Sequence, residues 1–188
     1  MKLVASPSFI IHPAAAFSSI SPSKLRHVPV MQSEVISFLK PKKGEKYLDM
    51  TFGAGGHTKQ LLKSSKDIVV YALDRDPTAY ELAIQTASEV TNGTLVPLLG
   101  RFSDIPELLL NMGIGENYFD GILIDCGCSS MQFDTKERGF SLSKDGPLDM
   151  RMDSNRLSHQ PSAAEVLASI DEDSLAQILK VFILIIVS

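Results

Sequence analysis

The stretch Asp49-Met-Thr-Phe-Gly53-Ala-Gly55-Gly56-His57 decides the fold. It closes a short apolar run, Lys46-Tyr-Leu-Asp-Met-Thr-Phe, with three glycines. That order reads as a buried strand entering a tight turn, whose backbone can approach a ligand closely. The third glycine of a G-x-G-x-x-G dinucleotide fingerprint would fall at Thr58. A dinucleotide with its pyrophosphate is therefore poorly matched, and a nucleotide-like cofactor without one fits better.

Working outward, the pattern alternates. Apolar residues from Val30 to Leu39 fall on helical spacing before Pro41. Residues 57–66 suit a helix, 68–73 a β-branched strand ending at Asp74, and 77–90 a helix with Pro77 in its first turn. Thr94 to Leu99 reads as a third strand, Asp104 to Met112 as a helix, and Phe119 to Cys126 as a fourth strand ending near an acid. Four strand and helix alternations imply parallel strands with right-handed crossovers, so the class is α/β. Gln132 to Arg156 has neither periodicity and reads as an ordered loop. Ala163 to Lys180 regains helical spacing, as two short helices broken near Asp171.

At 188 residues, with 44% hydrophobic and 21% charged residues and no tryptophan, the chain suits one ordinary domain and is not disordered throughout. The net charge of -4 gives no global basic field to draw nucleic acid; the basic surplus lies before residue 47. Residues 1–26 lack acids and are serine-rich, with Pro7, Pro13 and Pro22. They read as an unpacked leader compatible with a mitochondrial transit peptide, or as an arbitrary disordered start. Residues 27–127 then read as a cofactor domain, 128–180 as a second region, and 181–188 as an apolar tail. That tail is far shorter than the roughly 20 residues of a membrane span, and no membrane is expected as a partner.

S-adenosylmethionine (SAM) suits the glycine turn, because its amino acid end needs backbone polar groups and its ribose needs an acceptor. Asp74 ends the second strand, where nucleotide-binding α/β sheets place a ribose acceptor. Asp49 is a second candidate, with local turn bonding as the alternative. His57 reads as a first-turn residue whose backbone matters more than its ring. An NAD-dependent dehydrogenase shares these features but lacks a glycine at 58 and any hydride-transfer site.

Asp125-Cys-Gly-Cys-Ser-Ser130 ends the fourth strand, so Asp125 abuts the same cleft. A carboxylate there can accept a hydrogen bond from an amine and orient its lone pair toward a methyl sulfonium, which makes Asp125 the candidate catalytic residue. Cys126 and Cys128, one residue apart and without a second cluster, make a poor zinc site, and no metal is expected. Arg138-Gly-Phe140 and Asp149-Met-Arg151-Met-Asp153 can meet phosphate or a base, or can pair internally with their methionines packed down.

From His27 to about Lys180 these residues resemble the bacterial small-subunit rRNA cytosine-N4 methyltransferases, and within them the animal mitochondrial branch. The likeness rests on Leu48 to His57, Ala72-Leu-Asp-Arg-Asp-Pro77, Asp125 to Ser130, Gln132, Glu137-Arg-Gly-Phe-Ser141 and Asp145 to Asp153. It implies a Rossmann-like class I methyltransferase sheet, with the first four parallel strands present, followed by the start of a helical insertion. It also implies SAM contacts by Gly55, Gly56, His57, Asp74, Phe102, Asp125 and Gln132. The insertion would open at 138–153, with Arg138, Phe140 and Arg151 meeting substrate. The implied acceptor is a cytidine N4 in small-subunit rRNA of the mitochondrial 12S type.

The family continues past residue 180 with further strands, whereas here Val181 to Ser188 stands in that place. The fourth strand is then expected at a sheet edge, with the β-branched tail a candidate to pair along it. A piece of the enzyme that binds SAM weakly or not at all, without turnover, is the competing expectation.

Overall fold

The four apolar runs form strands, all parallel, in the computed structural model, which describes residues 2–7 and 29–187, with side chains for 29–181. Strand β1 is Lys2–Pro7. It is followed by helix α1 Gln32–Leu39, β2 Lys46–Asp49, α2 Gly56–Ser64, β3 Val69–Asp74, α3 Pro77–Glu89 and β4 Thr94–Leu99. A 3-10 turn at Phe102–Asp104 leads into α4 Ile105–Asn111, and β5 is Gly121–Cys126. Beyond it lie α5 Ser130–Asp134, α6 Ala163–Ser169 and α7 Glu172–Val187.

The sheet order is β1-β5-β2-β3-β4. The expected four strands are present, but the fourth is not an edge: Lys2 to Pro7 run parallel to Gly121 to Cys126 in register. The expected unpacked leader is therefore corrected for residues 2–7, while the rest of 1–26 lies outside the described residues. The physical reason is that a bare β5 would leave a row of unpaired amides and carbonyls, which Leu3-Val-Ala5 can satisfy before Pro7 ends the strand. The tail is corrected too. It continues α7 to Val187 as helix and adds no strand.

One face of the sheet carries Leu48, Tyr71, Leu73 and Leu98, packed with Ile105, Leu108, Tyr118 and Phe119. The rings of Tyr71, Tyr118 and Phe119 meet edge to face at 5.2 to 5.8 Å, the arrangement that ring quadrupoles favour. On strand alternation, Tyr47, Val70 and Leu123 belong to the other face. They are buried, as are Leu39 of α1, Leu61 of α2 and Ala79 and Ala83 of α3. On α3, Thr86 completes the buried row.

The chain divides into two compact units, Met1–Ser130 and Met131–Ser188. In the second, the helix break at Asp171 falls where the spacing predicts it, and Ser162 and Glu165 cap α6 reciprocally. No described side chain of α6 or α7 is buried, and Val166, Leu167, Ile178 and Leu179 stand exposed. Among the described residues, no helix is long and apolar enough to cross a membrane.

Candidate functional site

Register sets the site. Asp49 of β2 pairs with Ala72 of β3 on one side and Leu123 of β5 on the other. Asp74 and Asp125 each lie two residues further along, so they project from the same sheet face at the same height. They are two strands apart, about 10 Å by the usual interstrand spacing. Asp49 and Asp74 end their strands and Asp125 is the last residue but one of β5, all at the carboxyl edge, where open parallel sheets bind ligands.

The segment leaving β2 bonds in turn to both neighbours. Met50 N donates to the Leu123 carbonyl at 2.9 Å, and Phe52 N donates to the Leu73 carbonyl at 3.0 Å. Between them, the Asp125 amide donates to Thr51 Oγ1 at 2.8 Å. Gly53 N donates to Asp74 Oδ2, also at 2.8 Å. Residues 50–53 thus form a strap that fixes the ends of β5 and β3 relative to each other.

Asp49 is 1% exposed. Its carboxylate accepts from Thr51 N at 3.0 Å and from Thr58 Oγ1 at 2.6 Å. Local turn bonding therefore accounts for Asp49, and its expected direct contact with a ligand is corrected, because both oxygens are engaged beneath the surface. Burial pushes this carboxyl above its ordinary range, with the bonds from Thr58 and Thr51 acting against it. Asp74 is raised by the same main cause and held down by the amides of Asp76 and Gly53. Asp74 Oδ1 accepts from Asp76 N at 2.9 Å and Oδ2 from Gly53 N at 2.8 Å, and the Arg75 amide also bonds this carboxylate. An ionised carboxylate offers about four acceptor positions, so capacity remains for hydroxyls.

Gly55 caps α2 with φ 78°, and no side chain caps this helix. The first-turn amides of α2 have no intrahelical acceptor, which leaves them available to a polar or anionic ligand end. The glycines at 55 and 56 serve packing as well. A Cβ on Gly55 would meet the Phe52 ring at 2.7 Å, and one on Gly56 would meet Pro29 Cγ at 2.1 Å. His57 is 8% exposed. Its Nε2 lies 3.5 Å from Asp125 Oδ2. Its Nδ1 is buried with no hydrogen-bond partner. The ring is thus in contact with Asp125, whereas the sequence reading gave the backbone the larger part. Phe102 is half-exposed in the turn after β4.

The first unit therefore holds Gly55, Gly56, His57, Asp74, Phe102 and Asp125 around the carboxyl edge of the sheet. Thr51 and Thr58 escape the sequence reading. For Thr51 the available signal is spacing: Asp49-Met-Thr51 and Asp74-Arg-Asp76 both bond a carboxylate to the amide two residues on, the habit of Asx turns. Cys126 and Cys128 are free thiols, and burial pushes that of Cys128 up, away from the reactive thiolate. No group of three or more His, Cys, Asp or Glu among the described residues could hold a metal.

In the second unit, Gln132 is 4% exposed. Arg138 Nη2 donates to the carbonyls of Arg151 and Met152 at 3.0 and 3.1 Å. Arg151 forms a fork with Asp149, with Nη2 to Oδ2 at 2.6 Å and Nε to Oδ1 at 2.9 Å. That guanidinium holds the Asp149 carboxyl below its ordinary value. Phe140 is buried against Phe133, ring centres 6.4 Å apart. Arg138, Asp149 and Arg151 thus bond within 138–153, while Phe140 packs on Phe133 and Asp153 pairs with Arg156. Substrate contact by Arg151 requires sharing or exchanging these bonds, since its Nε, Nη1 and Nη2 are all engaged.

A model of the MraW methylase family matches residues 24–183. The chain belongs to that family. It is 54% identical over 83% of its length to the human 12S rRNA N(4)-cytidine methyltransferase METTL15, of which the match covers 38%. It is 47% identical, again over 83%, to the ribosomal RNA small subunit methyltransferase H of Parvibaculum lavamentivorans, covering 44% of that protein. It is also 55% identical over 87% to 11% of a Culex quinquefasciatus protein named putative receptor-type tyrosine-protein phosphatase mosPTP-1. The chain spans less than half the length of each of these MraW-family relatives.

Proposed function

We propose that this chain carries the cofactor half of an rRNA cytosine-N4 methyltransferase that uses SAM and acts on small-subunit rRNA of the mitochondrial 12S type. One observation carries the reading: Asp74 and Asp125 share a sheet face and a height, joined by the strap at residues 50–53. The residues fit the cofactor on the structure's own terms. Asp74 has acceptor capacity left for ribose hydroxyls. The uncapped start of α2, beside the buried and unpartnered His57 Nδ1, suits a zwitterionic amino acid end.

Bound SAM would supply a methyl group made electrophilic by its sulfonium. The chain's part is placement and proton handling. Asp74, Gly56 and His57 hold the two polar ends, with Phe102 as a further contact. Asp125 accepts an N–H bond from the cytidine amine, turns the nitrogen lone pair toward the methyl, and takes up the proton the amine loses. His57, with Nε2 3.5 Å from Oδ2, steadies the Asp125 carboxylate. A cytidine must leave its stack to reach this edge, so a single-stranded or extruded base is the substrate form. The loop at 138–153 supports the RNA as a preformed, internally bonded surface.

Transfer of tritium from methyl-labelled SAM to small-subunit rRNA, with digestion to nucleosides, tests the reading: label in N4-methylcytidine supports it. A second reading, a piece that binds SAM without turnover, is favoured by the uncovered helices α6 and α7. Binding without label in RNA is its expected result.

A further inference from the structure

We infer that Thr51 is a positioning residue that sets where Asp125 stands, an inference that rests on the proposed role of Asp125 as acceptor for the amine. β2 and β5 stay paired through Met50 N and the Leu123 carbonyl. Beyond that point the chain from β2 swings toward β3, where Phe52 N finds Leu73. The Asp125 amide would then face a neighbour that has turned away. Thr51 supplies the acceptor through its side chain, with Oγ1 2.8 Å from Asp125 N. Its own amide is fixed by Asp49 Oδ1 at 3.0 Å, and the same carboxylate oxygen lies 3.5 Å from Oγ1. The buried Asp49 is in turn held by Thr58 of α2. The hydroxyl therefore extends the β2 to β5 pairing by one bond while the main chain crosses to the cofactor side.

Only a hydroxyl on a short side chain does this. A backbone carbonyl here would hold the strap on β5 and lose the Phe52 and Gly53 bonds to β3. Valine at 51 matches threonine in shape and leaves the Asp125 amide without its acceptor, whereas serine keeps it. Thr51 touches neither cofactor nor base in this scheme. It acts on the methyl acceptor side alone, since Asp74 is held by Gly53 and Asp76.

The test compares the full chain with Thr51→Val and Thr51→Ser, using amide hydrogen exchange at Asp125, calorimetric binding of S-adenosylhomocysteine, and tritium transfer to small-subunit rRNA. In Thr51→Val the Asp125 amide should exchange about tenfold faster, while Met50 and Phe52 keep their protection. Transfer should fall about 10- to 100-fold, with S-adenosylhomocysteine affinity changed less than about threefold. Thr51→Ser should restore both exchange and transfer. An unchanged Asp125 amide in Thr51→Val overturns the inference, and so does parallel loss of binding and transfer that serine fails to rescue. If the unaltered chain transfers no label, the proposed function fails on its own, and the exchange result still decides the role of Thr51.

Discussion

His57 Nε2 sits 3.5 Å from Asp125 Oδ2, so the first turn of α2 and the end of β5 meet through their side chains. The contact joins the glycine turn to the residue proposed to hold the amine. Asp125 keeps its main-chain bond to Thr51 whatever its side chain carries. Asp125→Asn should therefore leave the fold in place, with a melting temperature within about 2 °C. The same change should lower methyl transfer at least about 100-fold, since an amide cannot take the proton. Parallel melting curves and transfer assays check both halves.

Buried Asp49 predicts a pH dependence of stability. An unfolded carboxyl ionises near 3.8, and burial raises the folded one above that value. Between the two, the folded state keeps a proton that the unfolded chain has released. Stability then falls as pH rises through the window above 3.8 and levels off once the folded carboxyl has ionised. Asp49→Asn should flatten that slope without abolishing it, because Asp74 is shifted in the same direction. Urea unfolding of both proteins at steps between about pH 4 and 7 measures the difference.

The glycines make a contrasting pair. Gly56→Ala drives a methyl to 2.1 Å from Pro29 Cγ, whereas Gly115→Ala meets nothing within 4 Å. The first should cost about 1 to 3 kcal/mol of unfolding free energy. The second should stay within about 0.5 kcal/mol. Equal midpoints in urea would contradict the packing role given to Gly56.

Much of the first unit was legible in the sequence, because strands buried on both faces read as apolar runs and the helices between them keep their period. Asp74 and Asp125 were visible as acids closing two such runs. Lys2–Pro7 was not, since serines and prolines around it mask a strand whose partner, β5, lies more than 110 residues away. Thr51 was hidden for a related reason: its partner lies 74 residues away. Arg138 and Arg151 were legible as chemistry but not as geometry, since one pattern serves an RNA surface and an internally bonded loop alike.

Within that loop, Asp153 is fully buried and accepts from Arg156 Nη2 at 2.8 Å. Removing the cation takes a charge-assisted bond from a buried carboxylate. Arg156→Ala should destabilise the second unit by about 3 kcal/mol. The Asp149 and Arg151 pair is partly solvated, so Asp149→Asn should cost no more than about 1 kcal/mol. Proteolysis within residues 131–160 reports local opening and should separate the two variants.

Calorimetric titration of the 188-residue chain with SAM, beside Asp74→Ala, tests the central claim most directly. Saturable one-to-one binding, weakened by about 1 to 3 kcal/mol in the variant through lost ribose hydrogen bonds, is the predicted result. No heat from the unaltered chain, or equal affinity in a folded Asp74→Ala, would contradict a cofactor cleft at the carboxyl edge of β2, β3 and β5.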